Sequence, residues 1–114
     1  MDKYLKFLLL FIIFTSAFSN VSNAQTDTAV IATSAQCDMC KNKIENALRF
    51  EKGVKLATLD VKSKNVTVIY NSKKTDADKI RKAISMLGYD ADNISADSAS
   101  YNKLHECCRK PHLE

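Results

Sequence analysis

Two short clusters carry the donor atoms with the most distinctive chemistry. One is Cys37-Asp38-Met39-Cys40; the other is His105-Glu106-Cys107-Cys108, followed closely by His112. A Cys-x-x-Cys pair at the start of a helix can turn both sulfurs toward one exposed spot. The free N–H groups and the positive dipole end of the helix lower thiol pKa values there, and Lys41 and Lys43, just behind, push the same way. Two thiolates form a soft donor set suited to Cu(I), and also to Hg(II), Zn(II) or Cd(II). Such a site is open and favours transfer over permanent binding. Met39 reads as an exposed hydrophobic contact for a partner, with a third soft ligand as the alternative.

Three other chemistries fit a Cys-x-x-Cys pair. A thioredoxin-like redox centre also sits at a helix start, but it brings a proline loop beside its cysteines, and here the only proline is Pro111 in the tail. Half of a structural zinc site would need Cys107, Cys108 or a histidine to complete four ligands. An inert disulfide is the third. Cys37/Cys40 and Cys107/Cys108 read as two tight local pairs, neither closing a loop long enough to stabilise a fold much. Adjacent cysteines rarely bond to each other. The second cluster therefore suggests metal chemistry, with Cys107 or Cys108 folding over the first site, or His105, Cys107, Cys108 and His112 capturing an ion independently. A tail that cross-links under oxidation is the alternative.

The start of the chain bears on redox compartment. Lys3 and Lys6 precede an unbroken apolar run over residues 7–14, and Ser22-Asn23-Ala24 offers small residues at −3 and −1 of a cleavage site. This is the pattern of a secretory signal peptide over residues 1–24. Its apolar core falls short of the roughly 20 residues of a membrane span, so no span is expected after cleavage; an uncleaved anchor is the alternative. A secreted or periplasmic location follows. No cysteine stands at the start of the mature chain, so lipid anchoring is not indicated. The net charge of +4 is small and its lysines and acids are interspersed, which leaves no nucleic-acid or membrane footprint.

The elements that must hold these cysteines follow from periodicity. Residues 28–35 (TAVIATSA) read as a strand. Cys40, Ile44, Ala47 and Leu48 then recur on one helical face, giving a helix of about 12 residues that starts at or just after Cys37 and stops at Gly53. Strands over 54–62 and 65–71 flank a polar turn at Lys62-Ser63-Lys64-Asn65. Thr75 is the expected cap of a second helix, with Ile80, Ala83, Ile84 and Leu87 buried and Gly88 as its stop. A short strand is expected over 93–96. The order β-α-β-β-α-β predicts an α+β, ferredoxin-like sandwich: an antiparallel sheet with two helices on one face. Residues 25–96 would form this domain, and the polar tail over 97–114 would lie outside its core.

Residues 28–96 resemble the heavy-metal-associated domain found in small copper chaperones, periplasmic mercury-binding proteins and copper-pumping ATPases. The resemblance is carried by Cys37-x-x-Cys40, Lys43-Ile44-Glu45-x-Ala47-Leu48, Gly53-Val54, Asn65-Val66-Thr67-Val68, and Ile80 through Gly88-Tyr89-Asp90-Ala91. It implies the same βαββαβ fold, Cys37 and Cys40 as metal ligands, and no enzymatic activity. It also places Tyr89 close to the ion, to shield it or tune its release; the alternative role is that of a core aromatic. The family's usual Gly-Met-Thr before the first cysteine is replaced by Ser34-Ala35-Gln36, which removes a flexible glycine and a methionine that packs under the loop.

The sequence thus predicts an exported carrier or scavenger of a thiophilic ion, Cu(I) above Hg(II), Zn(II) or Cd(II), that hands it to a metal-transporting membrane protein or another metal-binding domain. Lys41, Lys43, Lys73 and Lys74 could steer an acidic partner or form a solvated face. A monomer is expected, with a metal-bridged dimer as the alternative. The rival functions are a thiol–disulfide oxidoreductase and a metal-dependent accessory or sensing module.

Overall fold

The computed structural model describes residues 2–15 and 25–109. Helix α1 spans Asp2–Thr15, and no helix among the described residues is long and apolar enough to cross a membrane. The expected cleavage motif at Ser22-Asn23-Ala24 lies outside the described residues.

The domain is built on three antiparallel strands, β1 (Thr26–Ala32), β2 (Val54–Asp60) and β3 (Asn65–Asn71), in the order β1-β3-β2. Central β3 alternates strictly. Val66, Val68 and Tyr70 turn inward, while Asn65, Thr67, Ile69 and Asn71 between them are half-buried, as the period of two requires. Helices α2 (Asp38–Arg49) and α3 (Ala77–Met86) supply Cys40, Ile44, Leu48, Ile80 and Ile84 to the core, where they join Ile31, Leu59 and the inward face of β3. The ferredoxin-like arrangement is therefore present. Gly88 (φ +103°) directly follows the Leu87 cap of α3, whereas α2 already ends at its Phe50 cap and Gly53 (φ +84°) lies in the turn into β2; a side chain would be strained at either position.

Three details depart from expectation. Strand β1 begins and ends earlier than residues 28–35, because its register is fixed by β3: Thr26 pairs with Asn71 and Ala32 with Asn65. The cap of α3 is Asp76, whose carboxylate accepts from the Lys79 N–H at 2.8 Å, while Thr75 is buried. The strand expected over 93–96 does not form. Ala91 and Ile94 instead bond to each other, each N–H to the other's carbonyl at 2.9 Å, and Asp92 turns the chain with φ of +50°.

Asp92 does at the edge of β1 what a fourth strand would have done. Its N–H donates to the Ala32 carbonyl at 2.8 Å and its Oδ1 accepts from the Ala32 N–H at 2.8 Å. Its Oδ2 accepts from Arg81 Nε at 2.8 Å. The Arg81 hydrogen bond holds the Asp92 carboxyl below its ordinary value, against partial burial and with help from the Ala32 N–H and the guanidinium charge. Asp92→Ala should cost about 1–2 kcal/mol near neutral pH, the value of a lost charge-assisted hydrogen bond. Because the folded pKa lies below the unfolded one, the ionic part of this stability is present above the unfolded pKa of 3.8 and is lost as the pH falls through the folded value. Urea unfolding of wild type and variant at pH 7 and pH 3 checks this: the gap should narrow in acid.

The tail contradicts the expectation that it lies outside the core. Helix α4 (Ser98–Asn102) and a 3₁₀ turn (Glu106–Cys108) pack back on the domain, and Leu104 and Cys108 are buried, each 3 % exposed. Asp97 starts α4 by accepting from the Ser100 N–H at 3.0 Å and the Ser100 hydroxyl at 2.9 Å. Its own N–H donates to the Ser85 carbonyl at 2.9 Å, tying the tail to the end of α3. Arg109 then staples the turn, donating to the carbonyls of Asn102 (2.7 Å) and Leu104 (3.2 Å).

Candidate metal centre

Cys37 occupies the N-cap of α2 with an extended backbone, and Cys40 lies in the first turn, where it is fully buried. Their sulfurs are 3.5 Å apart. The tail brings the other two cysteines to the same place. Cys37 Sγ is 3.3 Å from Cys107 Sγ and 3.9 Å from Cys108 Sγ, and the two tail sulfurs are 3.9 Å apart. Cys40 and Cys108 form a disulfide, with Cα atoms 5.8 Å apart, while Cys37 and Cys107 are free. The reading of two local pairs is thus corrected: the bond runs across the domain and closes a long loop. Adjacent thiols cannot easily satisfy disulfide geometry, whereas two elements packed face to face can.

The loop leading to Cys37 is tied down by this chain's own Ser34-Ala35-Gln36 segment. Ala35 is fully buried beneath it. Ser34 Oγ accepts from the Asp90 N–H at 2.9 Å, Gln36 Nε2 donates to the Ser34 carbonyl at 3.1 Å, and Lys64 Nζ donates to Gln36 Oε1 at 3.4 Å. Ser34-Ala35-Gln36 therefore replaces glycine and methionine with a small packed side chain flanked by hydrogen bonds.

The electrostatics separate the two free thiols. The backbone N–H of Cys40 and the Cys107 thiol hold Cys37 below its ordinary value; burial opposes them, the Met39 N–H adds to them, and the Asp38 charge opposes weakly. Its hydrogen bond to Cys37, burial and the Cys37 charge push Cys107 up. Of the two free thiols, Cys37 is therefore the more acidic. Lys41 Nζ pairs with Glu45 at 3.9 Å. The helix end and the neighbouring thiol are the leading causes of the Cys37 shift.

Of the remaining candidates, Met39 is about half exposed and its Sδ lies 4.0 Å from Cys107 Sγ, so it borders the sulfur cluster from the solvent side. His105 turns away: its Nδ1 accepts from the Cys107 N–H at 3.5 Å. His112 lies outside the described residues. Tyr89 is fully buried, as a core aromatic would be, yet it also feels the cysteines. Burial, then the charges at Cys37 and Cys107, push its hydroxyl up to about 12. That hydroxyl has no hydrogen-bond partner among the described residues. Its burial in the core cluster is that of a core aromatic.

Sequence reasoning missed the bond between Cys40 and Cys108 and the burial of Leu104. The density of soft donors in the tail does suggest that Cys107 or Cys108 folds over the first site, as both do, but not which sulfurs bond.

Comparison with known proteins follows this geometry. A copper-exporting P-type ATPase of Staphylococcus saprophyticus is 40% identical over 55 residues, covering 48% of this chain and 7% of the ATPase. The chain therefore spans a small fraction of the length of that curated relative. Among solved structures, a CopZ metallochaperone superposes with a TM-score of 0.55 at 27% identity, covering 57% of this chain and 98% of that one. Oxidised MerP from Ralstonia metallidurans CH34 superposes with a TM-score of 0.56 at 22% identity, covering 58% and 93%, a likeness of fold alone. The heavy-metal-associated domain profile matches residues 30–90, more than half of the chain. This chain belongs to the heavy-metal-associated domain family.

Proposed function

We propose that this protein is a non-enzymatic carrier or scavenger of a thiophilic metal ion, exported from the cytoplasm, that binds Cu(I) in preference to Hg(II), Zn(II) or Cd(II). The observation that carries this reading is the pair of sulfurs of Cys37 and Cys40, 3.5 Å apart at the N-terminus of α2. A soft dithiolate of this kind exchanges ligands readily with another thiolate site. The copper-exporting ATPase relatives support copper as the cargo, and together with the CopZ metallochaperone neighbour they support a metal-transporting protein or metal-binding domain as the recipient. The basic n-region, apolar run and small-residue cleavage motif support export to a periplasmic or extracellular space. In that compartment Cys40 is available to metal once the Cys40–Cys108 disulfide has been reduced.

A second reading has its own observation. Cys37, the thiol with the lowered pKa, lies beside the Cys40–Cys108 disulfide, 3.5 Å from one sulfur and 3.9 Å from the other. A thiolate next to a disulfide is the arrangement of a thiol–disulfide oxidoreductase. One experiment separates the two. Protein reduced and kept anaerobic should take up Cu(I) in competition with a chromophoric chelator and pass it to a soluble metal-binding domain of a copper ATPase. It should show no catalytic turnover with a disulfide substrate. Turnover without metal transfer would establish the redox reading instead.

A further inference from the structure

We propose that the tail is part of the metal site, and that Cys107 and Cys108 join Cys37 and Cys40 to hold one thiophilic ion in a closed, four-thiolate shell. This inference rests on the carrier reading above and deepens it, because the family pattern supplies only Cys37 and Cys40.

Three observations carry it. The first is distance. A tetrahedral ion with metal–sulfur bonds of about 2.3 Å sets sulfur–sulfur edges of roughly 3.8 Å. The separations Cys37–Cys40, Cys37–Cys107, Cys37–Cys108 and Cys107–Cys108 are 3.5, 3.3, 3.9 and 3.9 Å. The sulfurs of Cys37, Cys40 and Cys108 all lie within 4.8 Å of one another. The second is how the tail is held. It does not reach the loop by a flexible excursion: the Asp97 cap, the Arg109 staple and buried Leu104 fix the turn that carries both cysteines. A ligand shell must be held by its own packing and hydrogen bonds to favour one geometry. The third is chemical uniformity. Met39 Sδ is the further donor at the rim, and His105 Nδ1 is taken up by the Cys107 N–H, so the donor set is sulfur throughout. Thiolates in such a set suit the soft and borderline d¹⁰ ions Cu(I), Zn(II) and Cd(II) alike.

The disulfide defines the resting, metal-free state of this shell. A dithiol reductant supplies two electrons and two protons to the Cys40–Cys108 bond, leaves as its own disulfide, and frees two thiols. Metal entry then displaces protons from the four thiols to solvent. In the reduced protein Cys40 and Cys108 separate to one more edge of the tetrahedron. Opening the exposed Cys107 side of the shell would return the ion to the two-coordinate Cys37–Cys40 pair for transfer.

The test uses Cd(II) alone as the probe. Protein is reduced with dithiothreitol, desalted anaerobically and titrated, following sulfur-to-cadmium charge-transfer absorption and the number of thiols shielded from a thiol-reactive dye. Wild type should shield four thiols per ion, Cys107→Ser three, and Cys107→Ser/Cys108→Ser two. Affinity in the double variant should fall about tenfold or more. Because Cys108 is buried, its replacement can unsettle the fold; exposed Cys107 gives a variant free of that difficulty. If the tail variants match wild type in affinity, and wild type shields only two thiols, the closed shell is overturned while the carrier reading stands. Tighter binding in the tail variants would overturn it too, showing the tail to be a competitor for Cys40. Failure of the carrier reading has a different signature: Cys37→Ser/Cys40→Ser would bind Cd(II) as well as wild type.

Discussion

Gly88→Ala should cost about 3 kcal/mol of folding free energy and detach the tail from the sulfur cluster. Two effects add at this position. The backbone sits at φ +103°, a region where an L side chain is strained by roughly 1–3 kcal/mol. The new Cβ would also stand 2.9 Å from the Ser100 carbonyl carbon and oxygen and from the Tyr101 nitrogen. These are backbone atoms of α4, so no rotamer change relieves the contact; α4 itself must move. Gly53→Ala makes the informative control. Its φ is also positive, at +84°, but the atoms its Cβ meets belong to the side chains of Lys74 and Thr75. Urea unfolding should show both variants destabilised. Only Gly88→Ala should lower the yield of the Cys40–Cys108 disulfide on air oxidation, read by free-thiol count. An unchanged yield would mean that α4 does not position Cys108.

The contrast between these two glycines reflects what local sequence can and cannot reveal. The bounds of β3 and α2 are legible because each is set by a short-range period: Val66, Val68 and Tyr70 at every second residue, and Cys40, Ile44 and Leu48 along one helical face. The same logic finds Cys37 and Cys40, since a helix start is a local feature. It fails where a residue's environment is made by distant chain. Asp92 is an acid in a polar stretch until Ala32 and Arg81 arrive from elsewhere to bond it, and those bonds stand where a fourth strand was expected. Leu104 stands between polar neighbours in the tail, with no period to announce burial. Cys107 and Cys108 carry the right chemistry for the site, but they lie some 70 residues from Cys37, and only the packing of α4 against the end of α3 brings them to it.

Reducing the Cys40–Cys108 disulfide in the metal-free protein should lower its unfolding free energy by about 4 kcal/mol. The bond joins residues separated by 68 positions, so it removes far more freedom from the unfolded chain than either local pair could. Loop-closure entropy for a ring of that size corresponds to about 4 kcal/mol at room temperature, a large fraction of the stability of a domain this small. The measurement is urea unfolding of the oxidised and reduced forms, with Cys108→Ser as the control whose stability should no longer respond to reductant. A loss well under 1 kcal/mol would mean that packing of Leu104 and α4 holds the tail without the bond. The prediction also constrains metal binding. An ion bound by the folded but not the unfolded chain stabilises by RT ln(1 + [L]/Kd). A closed four-thiolate shell should therefore restore to the reduced protein much of what reduction removed. An ion held by Cys37 and Cys40 alone cross-links only four residues of sequence and would leave the tail as free to unfold as before. Adding Cd(II) to the reduced protein and repeating the unfolding thus reports on the tail directly: recovery in wild type, and much less in Cys107→Ser/Cys108→Ser, is what a tail that serves as both latch and ligand requires.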